Sequence, residues 1–109
     1  MAFSPDGARL ATGSDDNSAR VWDAASGESL LYVRHDKGIT AVGFSPDGTR
    51  LATGGFGKSA RVWDAASGQS LLEVRHDKRV LAVGFSPDGT RLATGSADKS
   101  VRIWAVAGL

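Results

Sequence analysis

The chain of 109 residues contains no cysteine. It therefore has neither a disulfide framework nor a thiolate metal site, and nothing in it requires an oxidising compartment. It also lacks an apolar run near the roughly 20 residues that cross a bilayer, and its start, MAFSPDG, does not resemble a signal peptide. We expect a cytoplasmic protein with no membrane partner.

An excess of charge of one sign is also missing. Thirteen basic residues stand against twelve acidic ones, and the formal net charge is +1. Nucleic-acid binders carry a strong basic excess, so no nucleic-acid partner is predicted. The composition, 41% apolar and 23% charged, is that of a soluble globular protein.

An internal repeat organises the chain. The motif FSPDG begins at Phe3, Phe44 and Phe85, which gives a constant period of 41 residues. Residues 3–43 and 44–84 are identical at 31 of their 41 positions, and the third unit stops after 25 residues. A fixed period of this size indicates units that must stack on one another to bury their apolar surface.

Each unit reads as four short strands separated by turns. In the middle unit they are AVGFS at 41–45, RLATG at 50–54, SARVW at 59–63 and SLLEVRH at 70–76. SPDG and DAASG supply turn residues, and no stretch has a helical period of adequate length. The pattern predicts an all-β fold in which each unit is the four-stranded antiparallel blade of a β-propeller.

One short stretch, ATGGFGKS at 52–59, fits a relaxed phosphate-binding loop. In that interpretation Lys58 would reach the terminal phosphates and Ser59 would hold magnesium, provided that a helix follows. The stretch aligns with ATGSDDNS and ATGSADKS in the other units, and the extended segment SARVWD follows it. Without a helix N-terminus no nucleotide is expected, and we predict no cofactor.

The spacing of a His, FSPDG, LATGS-x-D and R-V/I-W-D resembles the WD40 repeat over essentially the whole chain. The name-giving pair is present at Trp22-Asp23 and Trp63-Asp64, whereas Ala105 replaces the Asp after Trp104. The resemblance implies strands a to d, counted from the centre of the ring outward. It also implies blades at 1–40, 41–81 and 82–109, the first with a truncated strand a and the third without strand d, so that the ring is incomplete within one chain.

The resemblance further implies a hydrogen-bonded set that braces each blade. Its members in the family are a His before strand a, a Ser or Thr on strand b, an Asp in the b–c turn and the Trp of strand c. The third blade carries the complete set, the second has Gly57 in place of the Asp and Gly55 in place of the Ser, and the first lacks the His. The matching residues are, in the third blade, His76, Thr94 or Ser96, Asp98 and Trp104; in the second, His35, Thr53 and Trp63; and in the first, Thr12 or Ser14, Asp16 and Trp22.

The same side chains suggest a hydrolase, with His35 beside Asp36 or His76 beside Asp77 as base and orienter, and Ser14 or Ser96 as nucleophile. Each His recurs at the same phase of the repeat, as a structural role predicts. Two histidines alone are also too few for a zinc site. We therefore expect no enzyme and no metal.

The b–c and d–a loops are expected to share one rim of the propeller. Phe56 places a large apolar ring at a turn tip where the other units have Asp15 and Ala97. An aromatic residue among cations is typical of a protein-binding hot spot; the alternative is drift in a redundant repeat, with Phe56 folded back over the site that lost its Asp. The candidate rim for a protein or peptide partner is Phe56, Lys58, Arg79, Lys37, Lys78 and Lys99.

Propellers close with about four to eight blades, and this chain encodes fewer than three. Exposed blade faces and strand edges favour association, so we expect a homo-oligomer of two or three chains. The predicted function is a non-enzymatic propeller module that acts as a protein-interaction scaffold and self-assembles to complete the ring. The alternative is a fragment or engineered piece of a longer WD40 protein, with no ligand and only folding and self-assembly activity.

Overall fold

A computed structural model describes residues 1–35 and 37–107. Within those residues every regular element is a β-strand, and the strands form three antiparallel sheets with no closed barrel. The sheets have the orders β1-β2-β3-β4, β5-β6-β7-β8 and β9-β10-β11, so each holds successive strands of one repeat. The all-β fold class and the incomplete propeller blades are thus confirmed. The strands are β1 (Ala2–Phe3), β2 (Arg9–Gly13), β3 (Ser18–Asp23), β4 (Ser29–Arg34), β5 (Ile39–Phe44), β6 (Arg50–Gly55), β7 (Ser59–Asp64), β8 (Ser70–Arg75), β9 (Val80–Phe85), β10 (Arg91–Ser96) and β11 (Val101–Ala105).

The SPDG turn joins strands a and b of each sheet. In the middle sheet Asp47 Oδ1 accepts hydrogen bonds from the Ser45 hydroxyl at 2.7 Å and from the Thr49 N–H at 3.0 Å. Led by the Ser45 bond, these donors lower the pKa of Asp47 to about 2. Gly48 adopts a φ of 74°, in the left-handed region that favours glycine. The turn is therefore fixed by its own side chains.

Strand a begins earlier than predicted. β5 begins at Ile39 rather than at residue 41, and β9 begins at Val80. The Ile39 N–H donates to the Ser14 carbonyl of the preceding sheet at 2.9 Å. Within their own sheets Ile39 pairs with Gly55 and Val80 with Ser96, each beside a β-bulge, and these pairs extend strand a toward the rim.

Each sheet has two unlike faces because side chains alternate along a strand. Leu51, Thr53 and Trp63 lie on one face, which we call the large face, and it packs against the preceding sheet. Ala52 and Val62 lie on the other, which we call the small face, and it packs against the following sheet. The same arrangement recurs 41 residues apart, so large face meets small face at both internal junctions.

The three sheets follow one another in an arc. The first and the third sheet each expose side chains whose counterparts are buried at the internal junctions. On the small face, Val21 is 1% exposed and Val62 is fully buried, whereas Ile103 at the same position of the third sheet is 66% exposed. On the large face of the first sheet, Phe3 is 63% exposed. The third sheet therefore ends in an open small face, and the first in an open large face.

Candidate functional site

One rim of the arc is built from the b–c turns and the connections between successive sheets. The Gly38 carbonyl accepts the Phe56 N–H at 2.9 Å, and the Arg79 carbonyl accepts the Ala97 N–H at 3.0 Å. The Lys58 carbonyl accepts the His76 N–H at 2.8 Å. These main-chain bonds bring the two kinds of loop together along one edge.

A buried His–Thr–Trp chain supports the rim in the third sheet. His76 Nε2 lies 2.6 Å from Thr94 Oγ1, and Trp104 Nε1 donates to the same oxygen at 3.0 Å. Of the two candidates on strand b, Thr94 is thus the one that belongs to the His–Thr–Trp hydrogen-bonded set. Ser96 instead donates to the carbonyls of Lys78 and Arg79, each at 3.0 Å.

Asp98 joins this chain to the b–c turn. Its carboxylate accepts the Ser100 N–H at 2.8 Å, the Ser100 hydroxyl and the Asp77 N–H at 3.1 Å. His76 Nδ1 lies 3.4 Å from Asp98 Oδ2 and 3.1 Å from Ser100 Oγ. The Ser100 hydroxyl is the first cause that holds the pKa of Asp98 well below its usual range. Ser100 is the member of this set that the sequence analysis missed.

The middle sheet has the His–Thr–Trp hydrogen-bonded set but lacks a carboxylate at the position of Asp98. His35 Nε2 lies 2.5 Å from Thr53 Oγ1, and Trp63 Nε1 donates to that oxygen at 2.8 Å. Gly57 stands at the position of Asp98. Gly55 stands at the position of Ser96, and a Cβ there would lie 2.0 Å from the Gly38 carbonyl oxygen. The close approach of that carbonyl therefore requires a glycine at position 55.

The first sheet retains part of the set. Trp22 Nε1 donates to Thr12 Oγ1 at 3.0 Å. Asp16 does not bond that pair: it accepts the Ser18 N–H at 3.0 Å and the Ser18 hydroxyl, and this hydroxyl is the main cause of its lowered pKa. Asp16 therefore fixes the b–c turn, as Asp98 does through Ser100.

The arrangement gives a substrate no access to the histidines. His35 and His76 are each 5% exposed, and each is hydrogen-bonded to a buried threonine. Asp36, the orienter proposed for His35, lies outside the described residues. In the part of the chain that the structure describes, no three His, Cys, Asp or Glu side chains are placed to hold a metal ion. The described residues also form no helix of the length and hydropathy needed to span a membrane.

Phe56 lies at the tip of the middle b–c turn and is 48% exposed. Its ring faces Gly38 of the preceding loop, where an added Cβ would come 3.3 Å from the Phe56 Cδ2 atom. The Arg79 guanidinium lies over the same ring, 5.9 Å from its centroid. Phe56 thus lies against both neighbouring loops and still presents half of its surface to solvent. The four rim lysines, Lys37, Lys58, Lys78 and Lys99, are all exposed.

Comparison with known families decides what these repeats are. Residues 1–23, 28–64 and 68–105 match the family model of the WD domain, G-beta repeat. The chain belongs to the WD40 family. WD40 repeats form propellers that generally serve as non-enzymatic protein-interaction modules. In this WD40 chain ATGGFGKS comprises the end of β6, a turn and the first residue of β7, so the residue after Lys58 begins a strand. No curated protein matches the chain.

We expect Gly57→Asp to stabilise the protein. An added Cβ would have only ordinary contacts there, the nearest being Lys37 carbons at 3.6 Å. The carboxylate would accept the Ser59 N–H and hydroxyl as Asp98 does from Ser100. Net hydrogen-bond energies of this kind predict a rise in Tm of about 4 °C or more, measured by thermal unfolding at pH 7.

The matched control is Gly57→Ala, which fills the same space without an acceptor. Because the pKa of the new carboxyl would be lower in the folded than in the unfolded state, its contribution is present above pH about 4. The contribution is lost as the pH falls through the folded-state value. A rise in Tm that is equal for Gly57→Asp and Gly57→Ala would contradict the role of the carboxylate as a hydrogen-bond acceptor in the b–c turn. A rise for Gly57→Asp that persists unchanged at pH about 1 would also contradict it.

Proposed function

We propose that this WD40 chain is a non-enzymatic scaffold with two interaction surfaces. A protein or peptide binds at the rim around Phe56, and copies of the chain associate through the open end faces. The observation that carries the proposal is the exposure of large apolar side chains on both surfaces. Phe56 is 48% exposed at the rim, and Ile103 is 66% exposed where its counterpart Val62 is fully buried.

The rim surface combines an apolar ring with neighbouring cations. Phe56 is held by its main-chain bond to Gly38 and by the Arg79 guanidinium over its ring. An aromatic side chain ordered in advance loses little conformational entropy when a partner covers it. Lys37 and Lys58 are exposed beside it, which favours a partner that sets carboxylates around an apolar side chain.

Phe56→Ser tests the rim surface. A random-peptide phage library panned against the immobilised chain should yield binders that lose affinity about tenfold or more for this variant, since hot-spot truncations cost 2 kcal/mol or more. Ala97→Ser, at the same turn position of the third repeat, is the matched control and should leave binding unchanged. Equal binding to all three proteins would remove Phe56 from the site.

The end faces supply the self-association surface. Val101 and Ile103 are 74% and 66% exposed, and Ala93 beside them is also exposed. Their counterparts in the middle repeat, Ala60 and Val62, are fully buried by the following sheet. Contiguous apolar surface of this kind favours association. A second copy carries Leu10 and Trp22 at the positions of Leu92 and Trp104, which pack on Val62 within the chain.

Ile103→Glu tests self-association. Light scattering at micromolar concentration should give a mass of two or more chains for the wild type and of one chain for the variant, because a charge would be buried without a partner. Ala66→Glu adds the same charge at an exposed turn of the middle repeat and should leave the mass unchanged. A folded wild-type monomer over this range would overturn the assembly.

A further inference from the structure

We propose that the copies join head to tail through one specific contact, and this rests on the self-association proposed above. Arg91 on the small face of one copy lies over the Phe3 ring of the next copy and donates to that copy's Gly7 carbonyl. The partner is thus a second copy of this chain, in one orientation only.

The first internal junction shows this contact in full. Arg9 Nη2 donates to the Gly48 carbonyl of the following sheet at 2.7 Å. The Arg9 guanidinium also lies over the Phe44 ring, 5.2 Å from its centroid. A cation over an aromatic face and a charged donor to a carbonyl both stabilise the junction. The contact fixes the order of the sheets, because Arg9 lies on the small face of its sheet and Phe44 on the large face of the next.

The second internal junction is also crossed by an arginine at this position. Arg50 follows Arg9 by one repeat, and its Nη1 donates to the Val106 carbonyl of the third sheet at 2.6 Å. The acceptor differs from that of Arg9, but the direction is the same. At both junctions the arginine reaches from the small face of one sheet to the next.

Both halves of a contact like that of Arg9 are exposed on the first and third sheets. Arg91 occupies the position of Arg9 and Arg50, and it is exposed on the third sheet. Phe3 and Gly7 occupy the positions of Phe44 and Gly48, and both are exposed on the first. A second copy placed as the next repeat would bring these groups together.

The apolar side chains around the contact also match a small face to a large face. Ala11 and Val21 of the first sheet pack on Leu51, Trp63 and Phe44 of the second. The matching end surfaces are Ala93 and Ile103 on one side, and Leu10, Trp22 and Phe3 on the other. Two small faces placed against each other would instead oppose two Arg91 side chains without the acceptor turn. Unlike surfaces therefore meet, which is a heterologous contact.

Mixing two blocked variants tests the direction. Ile103→Glu blocks the small face, and Phe3→Lys blocks the large face by facing Arg91 with a second cation. Head-to-tail joining predicts that each variant alone is a monomer and that an equimolar mixture forms a dimer, measured by native mass spectrometry. A symmetric contact between small faces predicts that Phe3→Lys associates alone and that mixing adds nothing, which would overturn the proposal.

Arg91→Ala placed separately in each partner of this mixture tests the contact itself. In the Phe3→Lys chain Arg91 lies at the junction, and its loss should weaken the mixed dimer about tenfold or more. In the Ile103→Glu chain the same substitution lies away from the junction and should have no effect. Circular dichroism checks folding, and Arg91→Lys, which keeps the charge without the planar group, should give an intermediate loss.

Each failure has its own signature. A monomeric wild type contradicts the proposed self-association as a whole. The wild type can also associate while Arg91→Ala weakens the mixed dimer equally from either partner, or from neither. That result contradicts only the Arg91 contact.

Discussion

The structure depends on the packing of one sheet's small face against the next sheet's large face. A single four-stranded sheet cannot bury its own apolar side chains, so each repeat is stabilised by its neighbours. Alanines at the positions of Ala52 and Ala60 allow close approach, and Leu92 with Trp104 fills the space between the sheets. Among the described residues, the small face of the third sheet and the large face of the first are the exposed ones.

The buried His–Thr–Trp chains connect this packing to the rim. Each threonine lies on strand b, its tryptophan on strand c and its histidine after strand d of the preceding sheet, so the chain joins neighbouring sheets. Asp98 then ties the b–c turn to the same histidine. In the middle repeat Gly57 removes that link, and the neighbouring Phe56 contacts the loops on either side instead. The b–c turn that differs most from its two counterparts thus also carries the large apolar side chain.

The period of 41 residues predicted the strands and their order because each turn carries its own side-chain signals. The chemistry of strand b was less predictable: Thr94 and Ser96 both suit the family pattern, and only distance shows that Thr94 bonds His76. Ser100 was missed although Ser18 and Ser59 recur at its phase. The arginine contacts between sheets had no local signal, since Arg9 and Phe44 belong to different repeats and meet only once the sheets stack.

The central claim is that the open small face and the open large face bind each other as the internal faces do. Hydrogen exchange of the wild-type chain over a range of concentrations measures this directly, because covering a face raises the free energy of local opening beneath it. We predict that protection of β2 and β11 rises with concentration while that of β6 and β7 stays constant. Protection of β2 and β11 that does not change with concentration would contradict the account.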